Sequence, residues 1–486
     1  MRGWLLAGLG LVSSLGCGGA EERQAAVPTC TLPNCDEAQL LGRADALLGT
    51  TEGGIVFARR SFAFGGDWSG VELWHLSLVD AAETRIGVGI HPATVRVATD
   101  GTVLYLEVAQ LAEGARWDDL RGVLHRWDPR TGRDAVLLDD VRPGQYDSCG
   151  GNAWAWHGEG AAASCGTLAV YDGASGTSVD VASACDYGTV EQLALFSTGC
   201  SRVILAGSVW EQDYTGITAY SVESGEARRL GSRYGGGFLV DEDGYRLVAF
   251  FDTALARIDV STGHPYPIDG DPREVVPLAL GDNNDLLYLR THNAGAPDLY
   301  WARGFGEPAA LVAADVEMGD TAFWPERKWL AWIEEGQSVE GNRIRVVATQ
   351  TGSLIEFAAP ALAFVGERGG APFARRREAF SRSGWIFFAA QREGGGTGLD
   401  AWQPQSGVHY RLGDSAPRLA RVDHDEDRIG WIDETGALRL VDFPLDFEPL
   451  LVGGDVVDFR FVGDWLVWTD GSGMLHAVPL RTGWHR

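Results

Sequence analysis

Lysine is almost missing from this chain of 486 residues: Lys328 stands alone, and every other basic side chain of the lysine/arginine class is arginine. Methionine is scarce, at 3 residues. No apolar run reaches the 18 or so residues that a spanning helix requires. Positive charge is also short. The 40 Lys and Arg face 67 Asp and Glu, for a formal net charge of −27. That balance excludes a histone-like protein, a general nucleic-acid binder and a binder of anionic membrane surfaces, each of which needs a basic face. Signatures of chemistry are missing too. There is no HExxH, no GxSxG elbow, no phosphate loop and no GxGxxG between a strand and a helix.

What is present is glycine, at 65 residues, and tryptophan, at 18. Hydrophobic residues make up 45% of the chain, enough for a packed interior. Gly-rich, Trp-rich and Met-poor composition points to many short strands joined by tight turns, and away from a coiled coil.

The N-terminus carries an address. Residues 1–16 read MRGWLLAGLGLVSSLG. One cation, Arg2, precedes a short apolar stretch that ends in small residues, the pattern of a secretory signal peptide. Ser14-Leu15-Gly16-Cys17 resembles the lipobox of bacterial lipoproteins, in which the Cys is lipidated and becomes the first mature residue. The family usually has Leu three residues before the Cys, and here Leu15 is two before it. A cut after Gly18-Gly19-Ala20 is the alternative and would release a soluble protein. By the resemblance, Gly18 directs the protein to the outer membrane, on its periplasmic or surface face. Residues 17–36 then form the lipidated Cys and a tether.

Removing Cys17 leaves six cysteines: Cys30, Cys35, Cys149, Cys165, Cys185 and Cys200. An even number in an oxidising compartment reads as disulfides. Spacing favours local pairs: Cys30–Cys35 around a turn, Cys149–Cys165, and Cys185–Cys200. No CxxC is present and no His accompanies the cysteines at ligand spacing, so no zinc site is expected.

From residue 37 to 486 the chain reads as a repeat. An apolar run recurs just after a turn: GIVFA (54–58), TVLYLEV (102–108), RVILAG (202–207), RLVAFF (246–251), DLLYLR (285–290), WLAWI (329–333), WIFFAA (385–390), RIGWI (428–432) and WLVWT (465–469), with AAASCG (161–166) as a weaker member. The mean spacing of about 46 residues lies near the span of one propeller blade. Each run is followed by a strand, a turn that often ends in Ser-Gly or Thr-Gly, and another strand. A strand that is apolar throughout is buried on both faces, as it is in a radial stack of four-stranded sheets. The expectation is an all-β propeller of about ten four-stranded blades; seven or eight blades, or two smaller propellers, are the alternatives. The tenth unit stops after its third strand, within 474–486. Glu37–Arg43 looks like the fourth strand of the fourth unit, Glu226–Ser232, and would close the ring. Along most of its length the chain resembles bacterial WD-like and TolB-like propellers.

Candidate sites are few. The acidic turn Asp423-His424-Asp425-Glu426-Asp427 could hold Ca²⁺, but the Gly-containing loop with a closing Glu is missing, and a solvated hairpin tip is expected. Trp154, Trp156 and His157 fall on an expected innermost strand, where they would stack a sugar or peptide or, more simply, pack between blades. Trp127–Gly132 resembles part of the repeat of pyrroloquinoline-quinone dehydrogenases. The Trp that follows the Gly in that family is missing, so no cofactor, and no metal, is expected. The reading that results is an exported, lipid-anchored propeller acting as a noncatalytic binding or scaffold protein for a protein, peptide or glycan of the cell envelope. The alternative is an envelope hydrolase or lyase with its site in the channel.

Overall fold

The computed structural model describes residues 37–59, 71–98, 100–108, 121–158, 165–185, 193–196, 200–209, 214–231, 238–240, 246–251, 254–259, 265–269, 275–280, 285–291, 295–303, 308–324, 329–366, 379–423, 426–443 and 449–480. Among the described residues strand follows strand, with two short 3-10 turns at Pro92–Thr94 and Val339–Gly341, and strands consecutive within a sheet pair antiparallel. Blade 1 is Ala46–Thr51, Gly54–Arg59, Glu72–Ser77 and Glu83–Val88. Blades 2 and 3 are fused. The long strand Arg133–Cys149 is the fourth strand of blade 2 in its first half and the first strand of blade 3 in its second, so the two make one seven-stranded sheet. Blades 4 to 9 begin at Leu193, Phe238, Val275, Met318, Ala361 and Leu419. Blade 10 has three strands late in the chain, Val456–Val462, Trp465–Asp470 and Met474–Pro479. Among the described residues the chain is thus an all-β propeller of ten four-stranded blades.

The fourth strand of blade 10 is Gln39–Arg43, from the other end of the chain. It pairs antiparallel with Met474–Pro479 in the register Gln39↔Ala477, Leu40↔His476, Gly42↔Leu475 and Arg43↔Met474. The next backbone groups lead straight into blade 1: Ala44 N–H donates to Gly473 O at 2.9 Å, and Asp45 N–H to Ala58 O at 2.8 Å.

Burial is graded from one edge of each blade to the other. Second strands such as Gly54–Arg59 and Trp329–Glu334 are buried almost along their length, while fourth strands such as Glu83–Val88 are half-buried to exposed. That gradient explains the runs of consecutive apolar residues, because a strand between two sheets has no solvent face. First strands of neighbouring blades lie beside one another, among them Ala46–Thr51 with Val456–Val462 and Met318–Trp324 with Ala361–Phe364. The first strands are therefore the inner ones, around the ring axis. Cores form between blades rather than within them. Leu47, Ile55 and Phe57 of blade 1 pack on Val462, Val467 and Leu475 of blade 10, and Trp385 and Phe387 of blade 8 on Ile429 and Trp431 of blade 9. Truncating one such aromatic would cost about 3–5 kcal/mol.

One unit differs from the sequence expectation. Its second strand is Asn152–His157, not 161–166. Residues 159–164 lie outside the described residues, and Cys165 and Gly166 open the third strand, Cys165–Asp172. The cause is the double use of Arg133–Cys149. No separate first strand precedes Asn152, so the unit starts earlier in the sequence than a regular repeat allows.

Because Gln39–Arg43 covers the edge of Met474–Pro479, deleting residues 37–43 leaves unpaired backbone groups beside the blade 10 core. The expected result is a fall in melting temperature of roughly 5 °C or more together with aggregation, whereas deletion of 21–28 leaves the transition in place. Calorimetry on the two truncations checks this.

Candidate functional site

The polar residues that the ring gathers fall into three groups: turn carboxylates, cross-strand histidines and the inner-strand ends. The turns come first. In the hairpin between the second and third strands of blade 10, Asp470 Oδ1 accepts from the Ser472 N–H at 2.9 Å, the Ser472 hydroxyl at 2.6 Å and the Met474 N–H at 3.0 Å. Asp433 does the same in blade 9 for the Thr435 N–H, the Thr435 hydroxyl and the Ala437 N–H. In each, a glycine at positive φ completes the turn, Gly473 at 76° and Gly436 at 84°, where a side chain would be strained. Burial raises Asp470, but the Ser472 hydroxyl, His476 and the backbone donors outweigh it and hold the carboxyl down at about 2. In Trp127–Gly132 the Asp128 carboxylate caps the Arg130 N–H at 2.9 Å, and Gly132 N–H donates to Asp128 O at 2.8 Å. The segment is a strand-turn-strand device.

Each histidine among the described residues is committed to a neighbour. His75 Nε2 lies 2.9 Å from Thr51 Oγ1. His91 Nδ1 accepts from the Ala93 N–H. His157, His409 and His476 place Nε2 within 2.9, 3.0 and 2.9 Å of Asp180, Asp400 and Asp470. His125 is held on both sides, with Nδ1 at 2.7 Å from Asp134 Oδ2 and Nε2 at 3.2 Å from Glu107 Oε2. Tyr105 stacks on its ring at 4.9 Å and donates to Asp134 at 3.0 Å. The Asp134 hydrogen bond is the main reason that His125 titrates above its ordinary value; burial opposes it and Glu107 adds to it. On the inner strand of blade 3, Asp147 is pushed upward by burial, against the Ser148 N–H and the Arg96 charge.

The expected sites are placed as follows. Trp154 and Trp156 lie on the second strand of blade 3, not the innermost, and both are buried against Val203, Leu205 and Tyr220 of blade 4. They are interblade core, and the sugar-stacking reading falls. The acidic turn is not a simple solvated tip. Asp423 is buried and faces Arg428 at 3.7 Å. Asp427 accepts from the Ser381 hydroxyl and the Ser383 N–H, each at 2.7 Å, and so ties blade 9 to the entry of blade 8. His424 and Asp425 lie outside the described residues, as do Cys17, Cys30 and Cys35. No group of three or more His, Cys, Asp or Glu among the described residues is arranged to hold a metal ion.

The local cysteine pairs are corrected. Cys149 is bonded to Cys200, 51 residues away, which excludes both Cys149–Cys165 and Cys185–Cys200. The reason is radial stacking. Cys149 and Cys200 occupy matching turns, each just ahead of its blade's second strand, and Asn152 reinforces the contact by donating to Cys200 O at 2.7 Å. Proximity along the chain gave way to proximity between repeats. The register of the third and fourth strands of blade 3 sets Cys165 directly opposite Cys185.

The inner-strand ends carry what sequence reading missed. Val276, Leu362 and Val457 are exposed aliphatic residues, each second in the inner strand of its blade. Nothing in the sequence separates them from the buried aliphatics beside them.

No family model matches this chain, and no curated protein matches it. Solved structures do. A eukaryotic initiation factor aligns at 10% identity and TM-score 0.45, over 76% of this chain and 87% of that one. Dipeptidyl peptidase 4 of Porphyromonas gingivalis aligns at 9% and 0.43, over 82% of this chain and 65% of that one. TolB from Acinetobacter baumannii aligns at 12% and 0.29, over 64% and 79%. The functions in those names differ, and likeness at this level concerns the fold alone.

Two outcomes are expected. Non-reducing peptide mapping should recover Cys149–Cys200, and Cys165 joined to Cys185 rather than to Cys149. By the chain-entropy model, closing the larger loop is worth about 4 kcal/mol. The two titrating groups act in opposite pH ranges. The His125 contribution is complete below the ordinary histidine value of 6.5 and is lost as pH rises through the higher folded value. The Asp470 contribution is present above 3.8 and is lost as pH falls toward about 2. Denaturant melts across pH should show His125→Gln flattening the first limb and Asp470→Asn the second.

Proposed function

We propose that this chain is an exported, lipid-anchored propeller that acts as a noncatalytic binding or scaffold protein at the cell envelope. Cys17 attaches it to the outer membrane, and the ring holds a protein, peptide or glycan. One observation supports the reading: every described histidine is engaged by a neighbouring strand or turn and so contributes to holding the sheets together. The anchor rests on the signal-like residues 1–16 and on Cys17.

An envelope hydrolase or lyase is the second reading. Asp147 favours it, as an inner-strand carboxyl that burial pushes toward its protonated form, the condition of a general acid.

Radiolabelled palmitate incorporation and membrane fractionation test the anchor. Cys17→Ser should abolish labelling and release the protein, and an unlipidated mature N-terminus at Glu21 would overturn it. Crosslinking of the mature protein in envelopes tests binding. A hydrolytic or eliminative activity that Asp147→Asn removes, together with the fall in rate as pH rises through the titration of that carboxyl, would favour the enzyme.

A further inference from the structure

Nine large hydrophobic side chains are exposed among the described residues, and all nine are valine or leucine. Three of them share one structural position. Val276, Leu362 and Val457 are 48%, 41% and 59% exposed, and each is the second residue of an inner strand, in blades 6, 8 and 10. The residues just before them, Val275, Ala361 and Val456, are buried. Those buried residues pair with Arg290, Ala390 and Asp470, at or next to the end of each second strand. The three exposed side chains thus stand at one level of the ring. In blades 8 and 10 the register skips the exposed residue, a β-bulge that turns it out of the ladder.

The face is also defined. Val456 N–H donates to Gly436 O, and Gly471 N–H to Asp455 O, so the inner strand of blade 10 starts beside the turns that join second to third strands in blades 9 and 10. An inner strand has its second strand on one edge and neighbouring inner strands alongside. Exposure at its first residues is therefore exposure at the mouth of the axial channel. Blade 9 supplies a charge at the same end. Arg418 precedes its inner strand, donates its backbone N–H to Ile432 O at 2.8 Å and is exposed. In blade order it stands between Leu362 and Val457.

We infer that this mouth seats a peptide segment of a partner protein that presents aliphatic side chains next to a carboxylate. The inference rests on the binding reading above and narrows it. Aliphatic side chains exposed at repeated positions gain by burial against an apolar partner. A sugar ring instead calls for a planar aromatic face, and the exposed set holds none. Arg418 supplies a planar, permanently charged fork that matches a carboxylate.

The test uses the purified mature protein and a phage-displayed heptapeptide library. Selected peptides are resynthesised with fluorescein and measured by anisotropy. The expected result is enrichment of Leu, Ile or Val together with Asp or Glu. Leu362→Asp and Val457→Asp should weaken binding at least tenfold, and Arg418→Glu should shift selection to peptides with Lys or Arg. Val136→Asp, at an exposed fourth-strand position of blade 2, should leave binding unchanged. Thermal melts of all four variants confirm folding, since the substituted side chains are exposed. Equal binding by wild type and the Leu362 and Val457 variants, absence of enrichment, or tighter binding of fluorescein-labelled oligosaccharides would overturn the inference. If an envelope partner still crosslinks to those variants, the scaffold reading stands and this site falls; if none crosslinks to wild type, the scaffold reading itself falls.

Discussion

Antiparallel pairing of Gln39–Arg43 with Met474–Pro479 is the constraint on which the rest of the ring depends. Blade-to-blade packing is repetitive, and each blade touches only its neighbours. Without closure, blade 1 and blade 10 would each present an apolar face to water. With it, Leu47 and Phe57 gain Val467 and Leu475 as partners, and the cores run on around the ring. The pairing joins residues more than 400 positions apart, on the order of the largest loop-closure entropy the chain can meet. It is repaid by a whole interblade core rather than by its own few hydrogen bonds.

The acidic composition fits this architecture because many carboxylates work within short range. Asp433 and Asp470 cap the N–H groups of their own turns, Asp134 and Asp400 hold histidines, and Asp427 fastens one blade to the next. Such bonds do not depend on a balancing lysine. Arginine enters where a planar fork is useful, as where Arg421 reaches Asp458 and the Phe459 carbonyl, or where Arg428 lies buried between Asp423 and Asp442. The histidines among the described residues thus acquire a common purpose. They are cross-strand or turn partners, set by register rather than by motif.

Those commitments shape the functional reading. With the described histidines held in strands and turns, the proposed binding role would use the rims and the channel. At one rim the inner strands of blades 6, 8 and 10 expose Val276, Leu362 and Val457, and Arg418 is exposed just ahead of the inner strand of blade 9. Fold likeness to an initiation factor, a peptidase and TolB does not choose among roles, since similar rings carry loops of unlike chemistry.

By itself the sequence determined the all-β class, the repeat and most second strands, because a strand buried on both faces must be apolar at every position and so stands out along the chain. It also displayed the likeness of Glu37–Arg43 to Glu226–Ser232. Only tertiary structure decided the rest. It placed Asn152–His157 as a second strand, since Arg133–Cys149 serves two blades and breaks the period. It joined Cys149 to Cys200, since radial stacking brings matching turns closer than chain neighbours. It turned Val457 outward while Val456 is buried, since the side on which an inner-strand residue falls depends on a bulge and on the curvature of the closed ring. Period and polarity are local properties that a sequence carries. Adjacency between repeats and exposure at the axis exist only once the ring is closed.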